Sequence, residues 1–291
     1  MKTLGFIGTG GMGSGMATNL IKAGYRLVVT DLNREQAAGL ESQGAQFANS
    51  SKTVAESCDL VLSMLPNNEA VRAVGLGKEG LSEATTGAKV WIDFSSIDKE
   101  TIVNINGELG KIGWTVVDAS AGGVEEVAAA GELALWLSGS KTLFEEHQAI
   151  FKAMGKSILH VGALGNAKLV KNAMAMFAAV QHMSLIEICS WLKKGGLDDA
   201  TFQTIIKNSQ QDSVATRRIM ETVVSQNYKP RKSWMPKDVG FGLDMAREMK
   251  VPMPFVGLAN QMFAIAQATN QDGYEATGIA CKLYDLINGQ K

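Results

Sequence analysis

Leu4-Gly5-Phe6-Ile7-Gly8-Thr9-Gly10-Gly11-Met12-Gly13 opens the chain. The apolar run Leu4–Ile7 reads as a buried strand, and helical spacing begins at Met12 and continues to Ala23. Between them lies Gly-x-Gly-x-x-Gly, the turn that holds a dinucleotide pyrophosphate. Gly8 permits the tight turn, Gly10 lets backbone approach the phosphates, and Gly13 lets helix and strand pack closely. The helix start offers free N–H groups and a partial positive charge to an anion. Thr9, Gly11 and Met12 complete the predicted cofactor turn. A second apolar run, Leu27–Thr30, ends in Asp31, 18 residues after Gly13. A carboxylate there accepts hydrogen bonds from ribose hydroxyls and repels a 2′-phosphate, which favours NAD over NADP. Arg34 is placed to hold a 2′-phosphate and keeps NADP as the alternative.

Outward from this unit, strand and helix patterns alternate. Leu60–Met64, Val90–Phe94, Thr115–Ala119, Leu133–Leu137 and Ser157–Val161 are further expected strands, seven in all, with room for an antiparallel addition at one edge. Helices are expected at Arg34–Ser42 and Lys99–Lys111. The alternation predicts an α/β fold, an N-terminal Rossmann doubly wound sheet over residues 1–161. After His160 strand signals cease. One helix is expected over Asn166–Lys194, ending at Gly195-Gly196. Others follow at Asp198–Ser209, Val214–Ser225, Lys237–Met249, Pro254–Gln267 and Tyr274–Ile287. Residues 162–291 therefore read as an all-α C-terminal domain joined through the long helix.

Composition agrees with two globular domains. The chain has 291 residues, 46% hydrophobic and 20% charged. Its 28 Lys+Arg against 29 Asp+Glu exclude a strongly basic nucleic-acid binder. No segment approaches the roughly 20 uninterrupted apolar residues of a membrane span, since Gln181, His182, Ser184 and Glu187 interrupt the nearest one. No signal-peptide run is seen, and the scattered Cys58, Cys189 and Cys281 suit reduced thiols in a cytoplasmic protein. His147, His160 and His182 stand apart from any ligand set, so no metal site is expected. His147 reads as solvated and His160 as structural. Met174, Met176 and Met183 read as core.

Several stretches then carry a family resemblance. Gly5–Gly13 through Asn19-Leu20 and Ala23-Gly24, Met64-Leu65-Pro66-Asn67, Asp93-Phe94-Ser95-Ser96-Ile97, Asp118-Ala119 through Gly131-Glu132-Leu133, and Lys237-Asp238 resemble the β-hydroxyacid dehydrogenases in order and spacing. The resemblance implies hydride transfer between NAD(P) and a small 3-hydroxy acid or its aldehyde or keto acid. It implies that Met64, Leu65, Pro66, Ser95 and Lys237 lie by the cofactor. It places Ser96, Ser120, Ala121, Gly122, Gly123, Lys171, Trp234 and Asp238 at a small anionic substrate. By analogy with the family, a homodimer or homotetramer is expected.

Carbonyl reduction needs a proton donor at oxygen and donors for the substrate anion. Lys171 is the candidate, because its ungapped position matches the family's catalytic lysine. Lys168, one turn earlier, is a surface residue or a second cation lowering the pKa of Lys171. Two departures bear on the substrate. The family's Asn four residues after the lysine is Ala175 here; pairing Lys168 with Asn172 restores that spacing but requires a three-residue deletion before it. The family's Ser-Gly-Gly is Gly122-Gly123-Val124, which leaves backbone N–H groups as an anion nest and admits a changed head group such as a sulfonate. Tyr228-Lys229-Pro230-Arg231-Lys232 formally matches Tyr-x-x-x-Lys, but Pro230 breaks the helix that pair requires. Arg231 and Lys232 form a basic loop that could instead reach an anion. Imine reduction and non-catalytic nucleotide binding are the alternative functions.

Overall fold

The computed structural model describes residues 2–230 and 233–289; Arg231 and Lys232 lie outside them. Eight strands run β1 Thr3–Ile7, β2 Arg26–Thr30, β3 Gln46–Phe47, β4 Leu60–Ser63, β5 Val90–Asp93, β6 Thr115–Gly122, β7 Leu133–Ser138 and β8 Gly155–His160. They form one sheet in the order β3-β2-β1-β4-β5-β6-β7-β8. Every pairing is parallel except β6 with β7. The antiparallel step therefore lies inside the sheet, and β8 closes the edge parallel to β7. The order reverses direction between β1 and β4, the switch point at which open α/β sheets bind ligands.

Helices α1 Gly11–Lys22, α2 Ala38–Glu41, α3 Ser51–Glu56, α4 Asn68–Leu76, α5 Lys99–Gly110, α6 Glu125–Ala129, α7 Lys141–Glu146 and α8 Gln148–Met154 accompany the strands. Helix α9 spans Asn166–Lys194, as expected from its uninterrupted pattern. Then come α10 Asp199–Lys207, α11 Val214–Ser225, α12 Met235–Glu248, α13 Pro254–Ala268 and α14 Ala276–Ile287. The chain divides into two compact units, Met1–Lys171 and Asn172–Lys291.

In the first unit the inner strands β1, β2, β4 and β5 are buried on both faces, which explains their continuous apolar runs. Leu4 and Phe6 pack with Met16 and Leu20 of α1 on one face. Ile7, Val61 and Trp91 pack with Val54 and Val71 on the other. In the second unit, Met176, Ala179, Met183 and Ile186 of α9 meet Met220, Phe263 and Leu283. Their spacing of three and four residues makes one stripe of a helix.

Four expectations are corrected. Strand β3 has two residues, too few for any periodicity to show. Arg34–Ser42 is not one helix: Arg34–Ala37 is a 3₁₀ turn capped by Asn33, and α2 follows. His147 is buried, not solvated, and that burial lowers its pKa. Met174 is 48% exposed, whereas Met176 and Met183 are core. The three cysteines are buried and free, with burial pushing the Cys58 thiol up to about 12.

Candidate active site

The turn after β1 is built as its glycines require. Gly8 has φ +90°, and any Cβ there would overlap the Met64 carbonyl oxygen. A Cβ on Gly13 would overlap the carbonyl oxygen of Gly8, so helix and strand approach only through glycine. At Gly10 a Cβ would meet nothing within 4 Å. That open side of the turn is where a pyrophosphate can lie against backbone. Gly10 also N-caps α1 without a side-chain hydrogen bond, and the first turn carries no acid of its own, so the helix start suits an external anion. These residues fit a dinucleotide. The Glu125 carboxylate reaches over from α6 to pack against Gly11.

Asp31 is tied to this turn. Its Oδ2 accepts from the Thr9 backbone N–H at 2.7 Å, and its Oδ1 accepts from the Asn33 N–H at 2.9 Å. Arg34 turns away: its guanidinium pairs with Glu41 at 3.3 Å and stands 4.8 Å over the Phe47 ring. Sequence reading passed over Leu32, which is fully exposed beside Asp31.

At the carboxyl edge of the sheet a buried polar network joins four strands. The Trp91 indole N–H donates to Ser63 Oγ at 2.8 Å, and Ser63 Oγ donates to Asp93 Oδ1 at 2.7 Å. Ser95 Oγ also donates to Asp93 Oδ1 at 2.6 Å and accepts from the Leu65 N–H at 2.8 Å. Leu65 and Ser95, expected near the cofactor from separate motifs, are thus bonded to each other. Ser138 Oγ donates to Asp118 Oδ2 at 2.6 Å, and that oxygen also accepts the Ala167 N–H at 3.1 Å.

Lys168 lies at the centre of the network. Its Nζ donates to the Asp93 carbonyl at 2.9 Å, to Asp93 Oδ2 at 3.0 Å and to the Ala119 carbonyl at 2.7 Å, with Asp118 Oδ1 at 3.1 Å. The side chains of Lys168, Asp93 and Asp118 are 0% exposed. The surface reading of Lys168 is therefore corrected. Its place as a cation acting on Lys171 is weakened too, since two carboxylates already balance it. An ammonium whose three protons are committed to protein acceptors has none to spare for a substrate. Lys171, three residues on, is only partly buried.

Asn172 follows Lys171 and is 1% exposed, with neither amide atom hydrogen-bonded. Ser120 Oγ in β6 is likewise buried and unpartnered. Native proteins leave few such groups, and each marks a place for a ligand or an ordered water. Gly122 has its own explanation: a Cβ there would come within 2.5 Å of the Trp136 ring, which stands on the neighbouring strand β7. The indole takes the space a serine side chain would need. Within the second unit, Trp234, Lys237, Asp238 and Phe241 form one constellation at the start of α12. The Lys237 ammonium lies 5.4 Å from the Trp234 ring, 5.7 Å from that of Phe241 and 3.6 Å from Asp238 Oδ1. Among the described residues no group of three His, Cys, Asp or Glu side chains is placed to hold a metal.

Residues 3–162 match the NAD-binding domain of 6-phosphogluconate dehydrogenase, and residues 165–282 match the NAD-binding domain of NADP-dependent 3-hydroxyisobutyrate dehydrogenase. The 2-(hydroxymethyl)glutarate dehydrogenase of Eubacterium barkeri is 31% identical over 98% of this chain and 96% of its own. The chain belongs to the β-hydroxyacid dehydrogenase family. As a member it is an NAD(P)-dependent oxidoreductase acting on a CH–OH group. A second relative, the 3-hydroxyisobutyrate dehydrogenase of Pseudomonas aeruginosa, is 31% identical over 98% of this chain and 99% of its own. In architecture the chain is similar to the 3-hydroxyisobutyrate dehydrogenase of Mycobacterium tuberculosis solved with L-serine (TM-score 0.88, 24% identity, 97% and 99% of the two chains). An imine reductase of Myxococcus stipitatus with NADP+ is a more distant likeness, with TM-score 0.65 and 18% identity over 97% and 99% of the two chains.

Proposed function

We propose that this dehydrogenase interconverts a small 3-hydroxy acid and its semialdehyde or keto acid, with the anion a carboxylate or a close analogue such as a sulfonate. The observation that carries the reading is the pair of buried, unpartnered polar groups, Ser120 Oγ and the Asn172 amide, in the two segments that family resemblance assigns to substrate. Lys171 is the proton carrier at the substrate oxygen. It takes the hydroxyl proton as the C–H hydride leaves and the C–O bond becomes C=O, and it returns that proton in reduction. The nicotinamide, when bound, supplies or accepts the hydride. The backbone N–H groups of Gly122 and Gly123 receive the substrate anion. Asn172 provides the amide that Ala175 lacks, one turn earlier on the same helix. Within the first unit, Ser96 and Ala121 complete the substrate side and Met64, Leu65, Pro66 and Ser95 the cofactor side; the resemblance assigns Trp234 and Asp238 of the second unit to substrate and Lys237 to cofactor.

A panel of 3-hydroxy acids, hydroxysulfonates and cyclic imines, assayed in both directions by cofactor absorbance, tests this reading. Turnover confined to imines, or none at all, sinks it. Binding without turnover would support the non-catalytic alternative.

NAD is proposed as the preferred cofactor. The Asp31 carboxylate stands where a 2′-phosphate would need a cation, and Arg34 is engaged with Glu41. Asp31→Ser is expected to narrow or reverse the preference, freeing the site for an Arg34–phosphate pair. Dissociation constants for both cofactors check this, and a wild-type preference for NADP(H) above about tenfold contradicts it.

The protein is proposed to work in the cytoplasm as a homodimer or a larger homo-oligomer. Helix α9 has an 18-residue window of mean hydropathy 1.3, long and apolar enough by composition alone to cross a membrane. Met174 (48% exposed), Phe177 (60%), Ile188 (44%) and Trp191 (72%) form an exposed stripe along it. Gln181 and Ser184 continue that stripe in its middle, which suits a second protein copy better than lipid. Sedimentation is expected to give at least twice the 31.0 kDa chain mass; a monomer at micromolar concentration contradicts this.

A further inference from the structure

The Asp93–Lys168–Asp118 cluster is more than a staple. Its formal charge is two carboxylates against one ammonium, or −1, and all three side chains are 0% exposed. Water therefore screens this charge far less than it would at the surface. The cluster lies at the carboxyl end of β5 and the mid-β6 position paired with it, beside the Ser95–Leu65 hydrogen bond. Asp93 is one hydrogen bond from Ser95. The remaining partners of the two carboxylates are hydroxyls and one backbone N–H, which are neutral. Nothing among these partners cancels the surplus negative charge.

We propose that this cluster sets the redox-state preference of the cofactor, so that its net negative charge favours the cationic ring of the oxidised form over the neutral ring of the reduced form. The inference rests on the cofactor side proposed above and takes the nicotinamide to lie by Leu65 and Ser95. It identifies Asp93 and Asp118 as positioning residues acting through charge and not through contact with substrate. By linkage, an enzyme that holds its oxidised cofactor more tightly makes bound NAD+ a weaker hydride acceptor and bound NADH a stronger donor, so the equilibrium on the enzyme leans toward the alcohol while the overall equilibrium is unchanged.

The test compares dissociation constants for NAD+, NADH and ADP-ribose in the wild type, Asp118→Asn and Ser138→Ala. Asp118→Asn keeps an oxygen for the Ala167 N–H and Ser138 but makes the cluster neutral. The NAD+-to-NADH affinity ratio is expected to fall about tenfold in this variant, a size consistent with one partly screened charge. ADP-ribose, which lacks the ring, should bind unchanged. Ser138→Ala removes a hydrogen bond from Asp118 but no charge, and should leave the ratio alone. Asp93→Asn provides a second route to the neutral cluster if Asp118→Asn does not fold. An unchanged ratio in a folded neutral variant overturns the proposal. Equal change in Ser138→Ala overturns it as well, because packing would then be the cause. Equal wild-type affinity for NAD+ and ADP-ribose overturns both the proposal and the placing of the ring, whereas failure to turn over hydroxy acids would overturn only the substrate reading.

Discussion

Lys171→Ala is expected to lower kcat/KM by about 10²–10⁴, the usual scale for a lost general acid or base. Cofactor affinity should persist, because the phosphate turn and Asp31 make no use of Lys171. Lys168→Ala should behave differently in kind. It leaves the buried Asp93 and Asp118 carboxylates without their common counter-ion, and breaking a buried pair costs about 3–5 kcal/mol. That variant should lose stability first, seen as a lower urea midpoint, and lose activity with the folded fraction. As the surface residue that sequence reading allowed, Lys168 could be lost cheaply; its complete burial changes that expectation. If a folded Lys168→Ala were inactive while Lys171→Ala stayed near normal, Lys168 and Asn172 would be the working pair. The proton carrier would then move by one helical turn, with the reaction class intact.

Gly13→Val should abolish cofactor binding. The Cβ alone would overlap the Gly8 carbonyl, and the branched side chain would also press on the Phe6 ring. Helix α1 would have to separate from β1, which removes the N–H groups that receive the pyrophosphate. Calorimetric titration of NAD+ and NADH into the folded variant checks this. Near-wild-type affinity would remove the phosphate-turn assignment altogether. Gly10→Ala is the informative companion, since a Cβ there meets no protein atom. It should fold normally and weaken only cofactor binding.

Much of this was legible in the residues. The order of strands and helices, the glycine turn and the extent of α9 follow from local pattern. Period and punctuation are properties of neighbouring residues, so these features need no tertiary information. The family resemblance, carried by motifs in fixed order, was legible for the same reason. Short β3 escaped because two residues hold no period. His147 escaped because a residue's surroundings in a charged stretch depend on what packs over it.

What only the tertiary structure decided is which polar groups meet. Lys168 looks like any helix lysine in sequence, yet its partners Asp93 and Asp118 are 75 and 50 positions away. Gly122 reads as a lost serine until Trp136, across the antiparallel β6–β7 pair, is seen filling the space. Asn172 reads as one more polar helix residue until both its amide atoms are found buried without partners. Charge, burial and unsatisfied hydrogen bonding are properties of the packed neighbourhood. The sequence by itself determined the scaffold through local spacing, and the class of chemistry through motifs whose order resembles the family's. Which of two lysines one turn apart is locked into buried ion pairs was decided only when the strands brought their carboxylates to one of them.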